Sequence, residues 1–350
     1  MDERKRTLIL TNAVLSFFTN LVLLYFIARH SRRHISGYKF LLAIFALFNI
    51  CFAVTQATVL PAFHVYRYGW ILFPTGKLFA GSPEWGFWSC AAYCMMYNLC
   101  LVLLTYHFVY RFVLICREES HHHLRSRPIC ILLFIGWLLN GVLWGVVCRV
   151  TMYQWKETRD YMQFSLLNEY GLDSAATPML GPIYFFDNPD GTRRTNWLSC
   201  LGSFYCVSLM TGCFSTILYC SRKIDAVLWK SRMSERARRL QKDLFKALLI
   251  QLIVPGISKF LPGTCMFTFP LFGLNTGKLA NYAAVLASFN TVLEPIFLLY
   301  FVKDYRYAIL RLAGKRDSSG TYYISETGEK IERSLTYSQK PMSPRTATML

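Results

Sequence analysis

The 350-residue chain is short of acid: 20 Asp and Glu stand against 38 Lys and Arg, a formal net charge of +18. It has no Asn-x-Ser/Thr sequon, so N-glycosylation is not expected. It has no glycine-rich loop of the phosphate-cradling kind and no His-Glu-x-x-His or other metal-ligand spacing in its apolar runs. His121-His122-His123 stands in a polar connection and reads as surface. No internal repeat and no soluble domain is visible. These absences argue against an enzyme, a metal and a cofactor. The basic excess by itself would suit a nucleic-acid binder. In so apolar a chain it is better assigned to a membrane face, where anionic lipids attract each basic residue by about 1 kcal/mol. Membrane lipids, not nucleic acid, are the expected partners.

What is present is apolar surface in long runs. Hydrophobic residues make up 54% of the chain and aromatics 16%, too much for one soluble core to hide. About 20 mostly apolar residues are needed to cross a bilayer. Seven stretches qualify, near 8–28, 40–60, 87–113, 128–148, 197–220, 244–270 and 281–302, with the sixth helix expected to begin earlier, so that it spans 234–270. Unpaired backbone groups are not tolerated in lipid, so these runs are expected as helices. The fold class is therefore an all-α membrane protein, a seven-helix transmembrane bundle over 8–313. Residues 1–7 precede it and a tail, 314–350, reads as disordered from its Ser, Thr, Lys and Arg content.

Connections 29–39, 117–127, 221–243 and 303–316 together carry 20 Lys and Arg in 59 residues; the alternate set carries 11 in 91. The positive-inside rule then predicts the amino terminus outside and the tail in the cytoplasm. Arg4-Lys5-Arg6 opposes this locally. The first run is too long for a cleaved signal and is followed by no small-x-small site, so it is expected to insert uncleaved. In the connection 149–196, Asn188-Pro189-Asp190-Gly191 between strand-like residues predicts a short hairpin capping the bundle.

Charges inside the runs are the candidates for function. Arg111 closes the third run in 105-TYHFVYRFVLIC-116. Counted from Phe87 it lies about 36 Å down the helix, at the inner edge of the membrane. It is either a headgroup anchor or a docking contact at the cytoplasmic mouth. Lys259 and Glu294 fall at similar depth, about 16 and 20 Å from the outer ends of the sixth and seventh runs. A buried charge needs a partner. Either the two pair, directly or through water, or Lys259 faces an outer cavity and meets a ligand oxygen. Pro255, Pro262 and Pro295 bend their helices, as static kinks or as hinges of a two-state bundle. Tyr93, Tyr97 and Leu101 share one face of the third run; with Lys259 and Phe260 they are candidates for a small-molecule pocket or, for the aromatics, helix packing. Cys90, Cys148 and Cys200 lie near outer helix ends, where one disulfide among the three or three packed thiols are the alternatives.

Several stretches match one family in order along the chain: Asn20 in 19-TNLVLL-24; 37-GYKFLLAIFALFNICFAV-54 followed by 61-PAFH-64; His107-Phe108-Val109-Tyr110-Arg111; 240-LQKDLFKALLIQLIVP-255 with Pro262 beyond; Glu294-Pro295; and 303-KDYR-306. Over about residues 10–310 the chain resembles the nematode serpentine chemoreceptors of the Str type, seven-helix G-protein-coupled receptors. The resemblance implies an odorant or pheromone receptor in the ciliary membrane of chemosensory neurons, coupled to a heterotrimeric G protein. It implies that Arg111, with Tyr110, Arg238, Arg239 and Lys242, meets the carboxyl-terminal helix of the G-protein α-subunit. Tyr110 stands where rhodopsin-like receptors carry an acid, so no adjacent carboxylate locks the arginine. The family has Asp before the seventh-helix proline where this chain has Glu294. Relative to rhodopsin-like receptors the second run lacks an acid, the seventh lacks Asn-Pro-x-x-Tyr and a lysine for retinal, and connection 149–196 lacks a cysteine.

The competing class is a seven-helix ligand-gated channel with inverted topology. The charge bias opposes inversion, and no amphipathic pore stripe is evident. A transporter would show repeated halves, which are absent. Thr348-Met349-Leu350 fits a PDZ carboxyl-terminal ligand, and Ser343-Pro344 fits a proline-directed phosphosite.

Overall fold

The computed structural model describes residues 2–30, 36–79, 81–117, 126–188, 190–230 and 235–312. Residues 1–308 form one compact unit. The second unit, 309–350, is described only at 309–312, the end of a helix. The expected tail, with its PDZ and phosphosite motifs, and the triple histidine lie outside the described residues.

Among the described residues, seven helical spans are long and apolar enough to cross a membrane. They are α1 (Glu3–His30), α2 (Ser36–Val59), α3 (Pro83–Cys116), α4 (Arg127–Thr151) and α6 (Trp197–Lys230), then a composite sixth span and a seventh. The sixth runs as α7 (Glu235–Pro255), a π-type turn (Gly256–Phe260) and α8 (Leu261–Thr268). The seventh is α9 (Tyr282–Phe301), followed by a short amphipathic α10 (Lys303–Leu312). Between α4 and α6 lies a further helix, α5 (Lys156–Tyr170). Proline in the first turn of α3 and α4 starts each helix where its missing N–H costs nothing. The fifth span continues ten residues past the expected end at 220. No glycine or proline interrupts 213–230, and Ser221, Arg222 and Lys223 extend the helix beyond its apolar part.

Burial separates the roles of the helices. Asn98–Thr105 of α3 are buried on every side, which makes α3 the central post. On α4 only Gly141, Trp144 and Cys148 are buried, at one-face spacing, while Ile131, Leu132, Leu139 and Val142 are exposed. An apolar exposed face of this extent suits lipid and not water. Helix association in lipid relies on close packing and hydrogen bonds, not on the hydrophobic effect. Both occur here. The main core joins Phe45 and Phe52 of α2, Phe87, Tyr93 and Phe108 of α3, Trp144, Ile217 and Phe260.

Hydrogen bonds tie α1 to α9. Pro295 has no N–H, so the Thr291 carbonyl four residues back loses its helical donor. Asn20 Nδ2 and Ser16 Oγ both donate to that carbonyl, each at 3.1 Å. Asn12 Nδ2 donates to Ser288 Oγ at 2.8 Å. The asparagine in the first span thus repairs the defect that the proline makes in the seventh.

One end of the bundle carries a woven cap. Strands β1 (Pro61–Tyr66) and β2 (Gly69–Pro74) form an antiparallel hairpin with Phe63 opposite Leu72 and His64 opposite Ile71. The expected short hairpin is also present, as β3 (Phe185–Asp187) paired with β4 (Arg193–Thr195). Both edges of β1–β2 are covered. Leu72 and Leu180 exchange backbone bonds of 2.7 and 2.8 Å, Trp70 donates to the Pro182 carbonyl, and Gly277 donates to Val65 on the far side. Gly181 permits this approach: a Cβ there would lie 2.0 Å from the Trp70 carbonyl oxygen. Helix α5 packs Met162 and Leu166 on Ala62, Ile71 and Phe73.

Candidate functional site

Under the cap lies an apolar cavity. Tyr93, Tyr97, Asn98 and Leu101 of α3 form one wall, Trp144 and Cys148 of α4 and Met210 of α6 another, and Phe260, Gly263 and Met266 of the sixth span a third. Phe63, Trp70 and Leu180 close it from the cap. The free space is about 730 Å³ with its mouth included. The enclosed part therefore suits a small molecule.

Its polar features are few. Asn98 Nδ2 donates to Asn140 Oδ1 at 2.5 Å, and the Tyr97 hydroxyl donates to the Lys259 backbone carbonyl. Asn98 Oδ1 and Trp144 Nε1 are buried without a hydrogen-bond partner among the described residues. Unpaired buried polar atoms in a cavity wall are groups that a ligand could satisfy.

Of the four pocket candidates, Tyr93, Tyr97 and Phe260 line this cavity and Lys259 does not. The Lys259 side chain, 1% exposed, leaves the cavity wall; its Nζ lies 4.0 Å from the Phe52 ring centroid and 3.5 Å from Cys100 Sγ. The expected direct Lys259–Glu294 pair is absent as well. Glu294 accepts instead from Asn49 Nδ2 at 3.1 Å and from Gln251 Nε2 at 3.5 Å. The reason is local. The π-type turn reorients residue 259, and two buried amides already occupy both carboxyl oxygens. A cation over an aromatic face is a recognised substitute for an anion. No disulfide joins Cys90, Cys148 or Cys200: all twelve cysteines are free, and Cys90 and Cys148 are buried in the packing.

Each of the three switch-candidate prolines has a distinct setting. Pro255 ends α7, Pro262 lies in the first turn of α8, and Pro295 lies inside α9. Between the first two, Leu261 N–H bonds to the Gly256 carbonyl five residues back, the mark of a π-type turn.

At the other end, Arg111 is 1% exposed and not presented at the surface as expected. Its Nη2 donates to the Gln241 carbonyl of α7 at 3.3 Å. With no acid at position 110, a backbone carbonyl holds the guanidinium across the bundle. Tyr110 is half-buried against a cluster that includes Phe26, Leu42, Leu244 and Tyr305. Lys242 Nζ lies 4.1 Å over the Trp229 ring, and Arg238 is half-buried. Arg239 belongs to the same helix, and its side chain lies outside the described residues. Lys303 and Asp243 form an ion pair at 2.7 Å that joins α10 to α7.

The cap holds one further polar group of note. His64 is fully buried; its Nε2 lies 2.6 Å from Ser165 Oγ and its Nδ1 3.9 Å from Glu169. Burial pushes its pKa below 6.5, Glu169 opposes that and Lys278 adds to it. Asn281, at the start of the seventh span, accepts from Phe63 N–H at 3.0 Å and donates to the Tyr170 hydroxyl at 2.8 Å.

Asn49 and Gln251 were legible as polar residues within apolar runs, but not as partners of Glu294. Trp144 and Gly263 carried no sequence signal of a cavity role.

The bundle resembles squid rhodopsin, with a TM-score of 0.61 at 12% identity, over 91% of this chain and 88% of that one. In sequence the chain is 27% identical to serpentine receptor class r-10 of Caenorhabditis elegans, over 88% of this chain and 91% of the relative. It is 25% identical to serpentine receptor class J-38 of the same species, over 85% and 90%. The model of the serpentine type 7TM GPCR chemoreceptor Str family matches residues 6–310. A seven-span bundle of receptor architecture and a family match across nearly all of it lead to one conclusion: the chain belongs to the Str family of serpentine seven-transmembrane G-protein-coupled chemoreceptors.

Proposed function

We propose that this receptor binds a small odorant or pheromone in the cavity beneath the cap and activates a heterotrimeric G protein at the Arg111 end. The carrying observation is the apolar cavity itself, walled by α3, α4, α6 and the sixth span and closed by Phe63 and Trp70. Its lining favours a small, largely apolar molecule, with Trp144 Nε1–H available to one acceptor on it. In this reading the transmembrane domain, 8–313, sits in the plasma membrane of a chemosensory cilium. The cap and residues 1–7 face outside and the tail is cytoplasmic, in keeping with the charge bias of the connections. Ligand acts by binding one of two bundle states more tightly than the other. In the closed state Arg111 is held by the Gln241 carbonyl. Release of α7 would free it, with Tyr110, Arg238, Arg239 and Lys242 nearby, for the G-protein α-subunit.

The test is expression in a heterologous cell with a calcium readout against a broad odorant and pheromone panel. An agonist response is expected, lost in Arg111→Ala at equal surface expression. An epitope tag on Met1 should stain without permeabilisation. A tag that stains only in permeabilised cells, or an agonist current that persists without any G protein, would favour an inverted channel and overturn the reading.

A further inference from the structure

The π-type turn Gly256–Phe260 is one residue too wide for an α-helix, and it is flanked by Pro255 and Pro262. Such turns are costly and cluster at functional positions. This one is gripped from the cavity. The Tyr97 hydroxyl donates to the Lys259 carbonyl inside the turn. The Tyr97 ring meets Phe260 edge to face, with centroids 5.6 Å apart. One turn further on, Gly263 leaves room for that hydroxyl: a Cβ there would lie 2.7 Å from it. Tyr97, Phe260 and Gly263 all line the cavity.

The opposite side of the turn is held separately. Lys259 Nζ rests on Phe52 and Cys100, from α2 and α3. Rewinding the turn as regular α-helix keeps every residue but shifts the register by one, which rotates α7 against α8 by about 100°. That rotation breaks the Lys259 contacts and carries Gln241, about 27 Å along the helix, away from Arg111.

Resting on the receptor reading above, we propose that Tyr97 is the positioning residue that couples cavity occupancy to the sixth span. Its hydroxyl holds the π-type turn in the state that keeps Arg111 bound to Gln241. A ligand that draws the hydroxyl away, or displaces the ring, releases the turn.

The experiment uses the full-length receptor and needs no identified ligand. Tyr97→Phe keeps the ring and removes the hydroxyl; Gly263→Ala keeps the hydroxyl and crowds it off the carbonyl. Two quantities are read: hydrogen exchange of the backbone amides of 256–261, and ligand-free nucleotide exchange on a panel of Gα subunits per receptor. Loss of one hydrogen bond is expected to raise both about fivefold in each variant. Unchanged amide exchange in both variants overturns the proposal. So does faster amide exchange with unaltered nucleotide exchange, when Arg111→Ala still abolishes the latter. If neither wild type nor either variant drives any Gα subunit while the turn still loosens in Tyr97→Phe, the receptor reading is what fails, and the coupling role falls with it.

Discussion

Glu294 is the most buried acid among the described residues, 1% exposed, and it takes hydrogen bonds from Asn49 and Gln251, each also 1% exposed. Glu294→Ala strands both amide donors. A buried donor left without a partner costs about 1–3 kcal/mol. Hydrogen bonds between membrane helices average only about 0.6 kcal/mol, because the unfolded chain in lipid also finds partners. The Gln251 bond, at 3.5 Å, is at the limit of a real one. The sum is about 2 kcal/mol for Glu294→Ala. Glu294→Gln should cost under about 1 kcal/mol: Gln251 Oε1 has no hydrogen-bond partner among the described residues and can turn to accept from the new amide. The assay is thermal unfolding in detergent at one fixed scan rate, since membrane receptors unfold irreversibly. At about 2 °C per kcal/mol the alanine variant should melt about 4 °C lower, and the glutamine variant about 1 °C lower. The double variant Asn49→Leu/Glu294→Leu removes donor and acceptor together and should cost less than the two single leucine changes summed. Equal melting of Glu294→Ala and wild type, or strict additivity in the double variant, would refute the network.

Two further predictions address the cap and the first span. The pKa of His64 lies below 6.5 in the folded cap because burial disfavours its charged form. The unfolded segment therefore binds more protons in acid, and cap stability is full above pH 6.5 and declines as pH falls below it. Corrected for the slower intrinsic exchange in acid, amide protection across β1–β2 should fall from pH 7 to pH 5, and His64→Gln should remove that fall; an equal fall in both proteins would exclude His64. For the first span, Ser16→Ala/Asn20→Ala leaves the Thr291 carbonyl without either donor and should lower the melting temperature. Adding Pro295→Ala returns an N–H four residues on and should recover part of that loss; no recovery would separate Asn20 from the proline defect.

Most of the transmembrane plan was legible because lipid imposes it. An apolar run of about 20 residues in a chain with no water to satisfy its backbone has one regular solution. The hairpin at 185–195 was legible too, since Asn188-Pro189-Asp190-Gly191 is strong turn chemistry. The larger hairpin at 61–74 escaped notice for the converse reason. Its turn is Arg67-Tyr68, with neither glycine nor asparagine, although Arg67 adopts φ 46°. Its strands are buried on both sides and show no alternation. Helix α5 has mean polarity typical of a loop, and only its contact with the β1–β2 hairpin picks out its buried face.

The candidate residues divide in the same way. Sequence could count how far Lys259, Glu294 and Arg111 lie along their helices, because that follows from rise per residue. It could not decide direction or partner. A single extra residue in the π-type turn takes the Lys259 side chain to Phe52 and Cys100 and leaves its carbonyl to Tyr97. Composition and periodicity, acting through the solvent, determined the seven membrane-length spans among the described residues, about where each begins, and which residues are costly inside them. Which of those costly groups meet, and that three separate connections weave into a lid over an apolar cavity, was decided by tertiary packing. Such contacts join positions that are far apart in sequence and depend on sub-ångström differences in helix rotation, which no local pattern records.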